Sequence, residues 1–367
     1  MGNIFREFAS QGNTGAQSAI FRNEEALTPE FLPESLEHRQ AQINEIAYAL
    51  RGIPAGKKCE NLLLVGPSGT GKTSCSRFVL KQLSEYTGRA VPIYVNCWEF
   101  STRFSVLNLV ATKLGEIMPR RGIAADEIMD RISQICRNEK KTPVIVLDEA
   151  DRLFISKYGE EKILYDIARS GEIFGAHFGL VAITNNANLL SMVDQRIKSS
   201  VQMHQLNFEK YTPSQLKDIV SVRAKEAFCQ GALDEEVIPV CAAIGAKNNG
   251  DARVSITTVW KAGLAAERQG AKKVLVSHVK EASKEVIAQI RQKDLEMVSD
   301  AEKSIIAAIK SAGGQIESGA LYAKLEKSGV QERTARNYIE KLELGGFLEA
   351  TEVQKQHGRT RLIRLLV

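Results

Sequence analysis

The chain has 367 residues, a length that suggests two or three domains. Its content of 44% hydrophobic and 25% charged residues is typical of a globular protein. No apolar run approaches the roughly 20 residues of a membrane span, which argues against a membrane-spanning helix. The net charge of +5, with a pI near 8.8, is by itself weak evidence for nucleic-acid binding. The six cysteines are scattered without a C-x-x-C pair, which argues against a zinc site and a disulfide framework. We therefore expect a reducing, cytoplasmic compartment.

The first part of the chain is predicted to contain a tail, a helix and a buried strand. Residues 1–20 are rich in Gly, Asn, Gln and Ser and are expected to form a mobile tail. An extended, proline-containing piece then precedes a helix predicted over 35–51. The apolar run 61–65 predicts a short buried strand.

A glycine-rich loop follows this strand and precedes a helix predicted over 74–83. The loop reads Gly66-Pro67-Ser68-Gly69-Thr70-Gly71-Lys72-Thr73 and fits the phosphate-binding pattern G-x-x-x-x-G-K-[ST]. Its glycines let several N–H groups point at one anion, and the helix N-terminus adds partial positive charge. We expect Lys72 to reach the β- and γ-phosphates of a nucleotide and Thr73 to hold Mg²⁺. The alternative is a glycine-rich turn that binds nothing.

Strands and helices then alternate up to about residue 208. Strands are predicted over 91–96, 144–147 and 180–184, and helices over 106–117 and 126–138. Because strands separated by helices form parallel sheets, this order predicts an α/β fold with a doubly wound parallel sheet.

The rest of the chain is predicted to form a helical domain and a winged helix. Helices of the second domain are predicted over 212–229, 234–246, 251–269 and 277–293. Three further helices, over 300–311, 320–328 and 331–343, precede two strands, over 347–352 and 361–366, that flank the basic turn 354–359. Three helices followed by a hairpin are the winged form of the helix-turn-helix motif.

Acidic and amide side chains follow two of the predicted buried strands. Asp148 and Glu149 come directly after one strand, at the edge of the sheet where the phosphate loop lies. We assign Asp148 to Mg²⁺ and Glu149 to deprotonating the attacking water. Asn185, with Asn186 as a competing candidate, ends the next strand and can hold this water or touch the γ-phosphate. The alternative for the two acids is a solvated pair at a strand end.

Two arginines are further candidates for stabilising phosphate charge. Arg196 lies just past the last buried strand and is a candidate arginine finger, which often acts on a neighbouring subunit. Arg253 follows Asp251, a residue that can cap the helix it opens, and could face the γ-phosphate from the helical domain. For both arginines a solvated surface position is the alternative.

The order and spacing of these motifs resemble the AAA+ replication initiators of the archaeal origin-recognition and cell-division-cycle type, over about residues 20–367. The matching stretches are Leu27-Thr28-Pro29-Glu30-Phe31-Leu32-Pro33, Glu37-His38-Arg39, Gly66 to Thr73, Val144 to Asp151, Ile183-Thr184-Asn185, Asp194 to Ser200, Tyr211-Thr212, Arg223 to Phe228 and Gly250 to Arg253. Two positions depart from the family pattern. The family usually has Pro directly before its finger arginine, and this chain has Gln195. The family often has Asp directly after its sensor-1 Asn, and this chain has Asn186.

The resemblance implies ATP or ADP with Mg²⁺ as cofactors, and it implies a slow, switch-like ATPase. It implies that Asn185 is the sensor-1 residue, Arg196 the arginine finger and Arg253 the sensor-2 arginine. Tyr211 and Arg223 match positions of the lid that contact the nucleotide. The segment 33–39 matches the stretch near adenine, and the segment 96–115 matches the initiator-specific helix that touches duplex DNA.

The helix 331–343 is the predicted recognition helix of the winged-helix domain. Side chains that hydrogen-bond bases or phosphates cluster in its N-terminal half, namely Gln331, Arg333, Thr334, Arg336 and Asn337. Its buried face is predicted to consist of Val330, Ala335, Tyr338, Ile339 and Leu342. The wing offers basic and polar residues to phosphates or to a minor groove, namely Lys355, Gln356, His357, Arg359 and Arg361. Because three acids also lie on this helix, a winged helix that binds protein is the alternative.

The expected architecture is a mobile tail (1–20), an AAA+ P-loop base domain (21–208), a helical lid (209–295) and a winged-helix domain (296–367). The expected function is that of a nucleoid-associated, ATP-dependent initiator that binds origin duplex DNA, helps load the replicative helicase and assembles with paralogous subunits. Three alternatives share the core motifs: a helicase-loader or transposition-type ATPase without origin specificity, a signalling NTPase with a protein-binding winged helix, and a non-hydrolysing scaffold.

Overall fold

The computed structural model describes residues 18–119, 122–154, 160–186, 189, 194–296, 299–326, 330–344, 347–355 and 358–365, with the side chains of 290–298, 300, 340–341, 344 and 352–359 excepted. The chain divides into two compact units, Met1–Ser283 and Lys284–Val367. None of the described helices is long and apolar enough to cross a membrane.

A parallel sheet of five strands forms the centre of the first unit. The strands are β1 (Asn61–Val65), β2 (Ala90–Asn96), β3 (Thr142–Asp148), β4 (Gly179–Thr184) and β5 (Met203–Asn207), in the order β2-β3-β4-β1-β5. The side chains of β1 and β4 are buried on both faces, as a sheet covered by helices requires. The predicted doubly wound parallel sheet is confirmed.

The edge strand β5 was not predicted. It pairs in parallel with β1, from Asn61 opposite Met203 to Val65 opposite Asn207. Its sequence Met-His-Gln-Leu-Asn contains a single branched apolar residue, and three of its five side chains are exposed. A strand that packs little apolar surface leaves no hydrophobic pattern to detect.

Helices cover both faces of this sheet. They are α1 (Gln40–Leu50), α2 (Lys72–Tyr86), α3 (Arg103–Lys113), α4 (Ala125–Glu139), α5 (Lys162–Ala168), α6 (Ser170–Ile173) and α7 (Gln195–Val201). One hydrophobic core joins the sheet to α3, α4 and α5, and a second core joins the other face to α1 and α2. Two predicted boundaries were wrong by four residues or more: α1 begins at Gln40 instead of 35, after His38 in a left-handed conformation, and α3 ends at Lys113 instead of 117.

The helical part of the first unit contains α8 (Pro213–Ala227), α9 (Val237–Lys247), α10 (Ala252–Arg268) and the start of α11 (Val276–Glu296). The N-terminal segment packs into the core of these helices, with Phe21 stacked 4.9 Å from Phe228 between ring centroids. Residues 1–17 of the expected tail lie outside the described residues. Ile20, the last residue of that expected tail, is 1% exposed and belongs to this core.

The second unit contains α12 (Asp300–Lys310), α13 (Ser318–Glu326) and α14 (Glu332–Leu344), with an antiparallel sheet of β6 (Gln315–Glu317), β8 (Gly358–Leu365) and β7 (Leu348–Lys355) in that order. Its core includes Ala335, Ile339 and Leu342 of α14, which were predicted to be buried, and Val330 and Tyr338 pack against it. This is the winged-helix arrangement that the sequence predicts, with the short strand β6 in addition.

Candidate nucleotide-binding site

The phosphate loop connects β1 to α2 at the carboxyl edge of the sheet. Gly71 precedes the first residue of α2 with φ +91°, and Gly69 has φ +71°, both in the left-handed region that favours glycine. A Cβ added at Gly69 would lie 1.7 Å from Asp251 Oδ1, so the loop has no room for a side chain there. The glycines are therefore required both by the backbone conformation and by the close approach of the lid.

Lys72 lies buried at the start of α2. Its Nζ donates to the carbonyls of Gly66 (2.6 Å) and Pro67 (2.7 Å) and to Asn185 Oδ1 (2.9 Å). Burial lowers the pKa of Lys72 to about 8, and the nearby Asp148 carboxylate opposes this shift. Asn185 also donates from Nδ2 to Ser68 Oγ (3.2 Å), so its side chain links Ser68 of the loop to Lys72.

A hydroxyl and a carboxylate meet beside the loop. Thr73 Oγ1, on α2, donates to Oδ2 of Asp148, the last residue of β3, at 2.8 Å. Mg²⁺ prefers such oxygen ligands and keeps several of its waters, so this pair fits the cation that a bound triphosphate brings. The predicted metal-binding residues are thus brought together.

Glu149 is half-buried directly after β3, with φ +55°. Desolvation by burial raises the pKa of its carboxyl from 4.5 to about 7, and the negative charges of Asp148 and Asp151 add to the increase. The arginines Arg152 and Arg253 oppose it. A carboxylate with a pKa near the working pH suits a general base.

The lid contacts the loop at the N-terminus of α10. Ala252 N–H donates to Gly69 O at 3.2 Å, and Asp251 caps the helix by accepting from Arg253 N–H at 2.8 Å. The guanidinium of Arg253 is held on the same carboxylate, with Nη2 2.6 Å from Asp251 Oδ2 and Nε 3.1 Å from both oxygens. Asp251 was predicted only as a cap, so its contacts with the loop and with the Arg253 guanidinium were missed.

A cleft of about 460 Å³ lies between the loop, the N-terminal segment and the lid. Arg223 lines it and donates to the carbonyls of Phe31 (3.2 Å) and Thr28 (3.3 Å), with its guanidinium 4.8 Å from the Phe31 ring centroid. Burial lowers the pKa of Arg223. In this structure Arg223 holds the N-terminal segment over the cleft.

Tyr211 is buried at the junction of β5 and the lid. Burial raises the pKa of Tyr211 to about 12, which keeps its hydroxyl protonated. The guanidinium of Arg39 lies 3.9 Å from its ring centroid. Arg39 ends the stretch 33–39 that the resemblance places near adenine, and the sequence predicts no contact of its own for it. The signal that could have indicated one is a charged residue directly before an amphipathic helix.

Arg196 is not brought to this cleft. Its side chain is 94% exposed at the start of α7, and Asp194 lies 4.0 Å from its Nε. Asp194 caps the helix by accepting from the backbone N–H of Arg196 at 2.8 Å. An exposed arginine at a helix N-terminus can serve a neighbouring subunit, as a finger in trans requires.

The segment 96–115 contains α3 and Trp98, and the Trp98 ring contacts Arg152, which follows β3. The guanidinium carbon of Arg152 lies 3.2 Å from the Trp98 ring centroid. Arg103, the first residue of α3, forms ion pairs with the buried Asp166 of α5 and with Asp126 of α4. This segment is therefore anchored to the helices on one face of the sheet.

The second unit presents most of its predicted DNA-binding side chains at the surface. The predicted residues Arg333, Thr334, Arg336 and Asn337 of α14 are exposed, as is Gln331, which directly precedes the helix. Arg336 pairs with Glu332 at 2.5 Å and lies 5.6 Å from the Tyr322 ring centroid. Arg361 on β8 is exposed, whereas Gln356, His357 and the side chains of Lys355 and Arg359 lie outside the described residues.

Family models match two parts of the chain. Residues 56–186 match the AAA domain, and residues 217–284 match the Cdc6 AAA+ ATPase-type lid domain. The first match contains the loop, Asp148 and Asn185, and the second contains Arg223 and Arg253.

Similar proteins extend the match over nearly the whole chain. The chain is 32% identical to ORC1-type DNA replication protein 1 of Sulfurisphaera tokodaii over 369 residues, which cover 96% of this chain and 92% of that protein. It is also 32% identical to the ORC1-type DNA replication protein of Thermococcus kodakarensis, over 95% of this chain and 88% of that protein. The solved structure of the Aeropyrum pernix ORC1 protein in complex with DNA matches with a TM-score of 0.74 at 31% identity, and it covers 95% of this chain and 94% of its own.

Proposed function

The chain belongs to the ORC1/Cdc6-type family of AAA+ DNA replication initiators, and from this premise we propose that it binds origin duplex DNA and helps load the replicative helicase under the control of ATP. The observation that carries the nucleotide part of this proposal is the cleft in which the phosphate loop, the Asp148–Glu149 pair and Arg253 of the lid converge. Binding of a nucleoside triphosphate would bring these groups to the same phosphates, because they line one cleft.

In this proposal, Lys72 and the loop N–H groups hold the phosphates, and Thr73 and Asp148 hold Mg²⁺. Glu149 accepts a proton from the attacking water, and Asn185 orients that water. Arg253 carries the state of the γ-phosphate to the lid, while Tyr211 and Arg223 shape the nucleotide side of the cleft. Arg196 acts on the nucleotide of a neighbouring, paralogous subunit.

For DNA, we propose that Arg333, Thr334, Arg336 and Asn337 of α14 contact the major groove. The wing residues Lys355, Arg359 and Arg361 would contact phosphates. The exposed polar face of α14 supports this reading, because its opposite face forms the core of the winged helix. The segment 96–115 is the proposed second contact with the duplex, which makes the protein nucleoid-associated.

We further propose functional boundaries at residues 20, 208 and 295, which separate the tail, the base domain, the lid and the winged helix. Ile20 to Leu27 pack with the lid helices, so the N-terminal segment is shared between the base domain and the lid.

DNA binding is tested by fluorescence anisotropy on a duplex from the organism's own origin, at two salt concentrations and with ATP or ADP. The double variant Arg359→Ala/Arg361→Ala should bind more weakly, most clearly at low salt, and should show a smaller dependence of affinity on salt. The double variant Lys303→Ala/Lys310→Ala on α12 removes the same charge outside the proposed surface and serves as the control. Equal affinities for the two double variants would contradict the proposed wing contacts.

The alternative functions are separated by other measurements. Genomic footprinting distinguishes an origin-specific initiator, which should protect a few sites, from a helicase-loader or transposition-type ATPase without origin specificity. Absence of DNA binding together with capture of a protein by the winged helix would favour the signalling NTPase. ATP turnover that is lost in Glu149→Gln, with ATP still bound, would exclude a non-hydrolysing scaffold.

A further inference from the structure

Arg39 lies buried at a junction of three chain segments beside the phosphate loop. Only 5% of the residue is exposed. Its Nε donates to Thr70 O of the loop (2.9 Å), its Nη2 to Glu209 O (2.7 Å) and its Nη1 to His38 O (3.4 Å). One guanidinium therefore ties the loop to the stretch that follows β5 and to the backbone before α1.

The stretch 208–211, which we call the hinge, also packs against the loop. The Arg39 guanidinium lies 3.9 Å from the Tyr211 ring centroid and 5.5 Å from that of Phe208. A Cβ added at Gly66 would lie 2.1 Å from Phe208 O, and one added at Gly71 would lie 2.8 Å from Tyr211 Oη. Phe208 thus lies close to Gly66 at the start of the loop, and Tyr211 lies close to Gly71 near its end. The Arg39 guanidinium lies beside both aromatic rings.

The partners of Arg39 are carbonyls and ring faces. Among the described residues, no carboxylate lies within 4.0 Å of its guanidinium. Burying a charge without a counter-ion costs several kcal/mol, which a purely apolar strut would avoid. The planar fork donates to three backbone carbonyls at once, which a hydrophobic side chain could not do.

The bond to Thr70 O orients a peptide group of the phosphate loop. In a trans peptide the carbonyl of one residue and the N–H of the next point in opposite directions. Since Arg39 holds the Thr70 carbonyl on its own side, the N–H of Gly71 points away from Arg39. In this loop motif the backbone N–H groups cradle the phosphates. Fixing the carbonyl therefore fixes one of the donors that the nucleotide needs.

We propose that Arg39 is a positioning residue of the ATPase site. It fixes the Thr70–Gly71 peptide for phosphate binding, and it holds the hinge of the lid against the loop. In this role it acts through the backbone of the loop and not on the reacting atoms. This inference rests on the nucleotide site of the proposed function and is independent of DNA binding.

The test compares Arg39→Met, which keeps most of the side-chain volume and removes the charge, with Arg39→Lys, which keeps the charge and loses the fork. We expect Arg39→Met to bind both ATP and ADP roughly tenfold to a hundredfold more weakly, as for the loss of a hydrogen bond to a charged group. Arg39→Lys should recover part of the affinity. Fluorescent nucleotide analogues measure both dissociation constants without DNA.

Arg51→Met is the matched control. Arg51 lies at the other end of α1, where its guanidinium is 3.6 Å from the Tyr48 ring centroid and donates to Tyr48 O at 2.6 Å. Arg51 also pairs with Glu60 at 3.3 Å and is more exposed than Arg39, so Arg51→Met removes a stacked, hydrogen-bonded guanidinium beside α1 and away from the loop. The amide resonance of Gly71, observed with ¹⁵N-glycine labelling, should shift in Arg39→Lys and stay unchanged in Arg51→Met.

Wild-type nucleotide affinity in Arg39→Met, or an equal loss in Arg51→Met, would overturn the proposal. If Arg39→Met does not fold, Arg39→Lys decides: wild-type affinity with an unshifted Gly71 amide would refute the role of the fork. Failure of the wild-type protein to bind any nucleotide would instead refute the nucleotide site itself, so the two failures are distinguishable.

Discussion

Substituting Glu149→Gln should stabilise the folded protein while it abolishes ATP turnover. The reason is the position of the carboxyl directly after β3, where burial and two neighbouring carboxylates raise its pKa from 4.5 to about 7. Between these two pKa values the folded state holds a proton that the unfolded state has released. The free energy of unfolding therefore falls as the pH rises through this window, and the loss is complete above about pH 7. Glutamine is neutral at every pH and avoids this loss.

The magnitude follows from the same pKa values. A difference of 2.5 between 4.5 and 7 corresponds to at most about 3.4 kcal/mol at pH 8, and to about 0.8 kcal/mol at pH 5. Because Glu149 is only half-buried, solvent screens part of this energy. We therefore expect Glu149→Gln to raise the free energy of unfolding by about 1–2 kcal/mol more at pH 8 than at pH 5.

Urea denaturation in EDTA, without nucleotide, measures this difference. The chain has two tryptophans, Trp98 and Trp260, and both lie in the first unit, so their fluorescence reports the unfolding of the unit that contains Glu149. Glu45→Gln, an exposed change on α1, is the control and should give the same small effect at both pH values. A destabilised Glu149→Gln variant, or an equal change at pH 5 and pH 8, would refute the reasoning.

Three further substitutions test other contacts of the first unit. Gly69 has φ +71°, and Gly69→Ala would place a Cβ 1.7 Å from an oxygen of Asp251. Nucleotide titration should therefore show binding weakened by at least about tenfold. Gly88→Ala is the control and should have no effect, because a Cβ there meets nothing within 4 Å. Arg103→Ala leaves the buried carboxylate on α5 without its partner and should lower the free energy of unfolding by about 3 kcal/mol, measured in urea. Arg196→Ala should lower ATP turnover when copies assemble on DNA and leave the free energy of unfolding within about 0.5 kcal/mol of the wild-type value; undiminished turnover would contradict a finger in trans.

The central strands could be predicted from the sequence because burial on both faces leaves continuous apolar runs. The predicted strand 61–65 has the bounds of β1, and the predicted run 144–147 lies within β3. The edge strand β5 lacks such a run, and its pairing with β1 depends on tertiary structure alone. The start of α1 was missed for a local reason, since His38 adopts φ +60°, a conformation that non-glycine residues rarely show and that sequence patterns do not reveal.

The nucleotide site likewise contains residues that the local sequence predicts and residues that it does not. Gly66 to Thr73 could be found because the phosphate loop is a local motif, and Asp148 could be placed because parallel strands end at one edge of the sheet. Arg39 and Asp251 received no site role because their contacts join residues far apart in the chain, with Thr70 and Glu209 for the arginine and Gly69 for the aspartate. Nothing in the local sequence marks a guanidinium whose partners are backbone carbonyls.

The N-terminal segment links the lid to the phosphate loop. Trp260 of α10 donates to Glu24 at 2.7 Å, and His38 pairs with Asp218 of α8 at 2.9 Å. The next residue, Arg39, bonds to the loop. Because neighbouring residues of one short segment contact α8 and the loop, a displacement of the lid must either break these contacts or carry the segment with it. The segment therefore lines the nucleotide cleft, belongs to the core of the lid helices and is bonded to the phosphate loop.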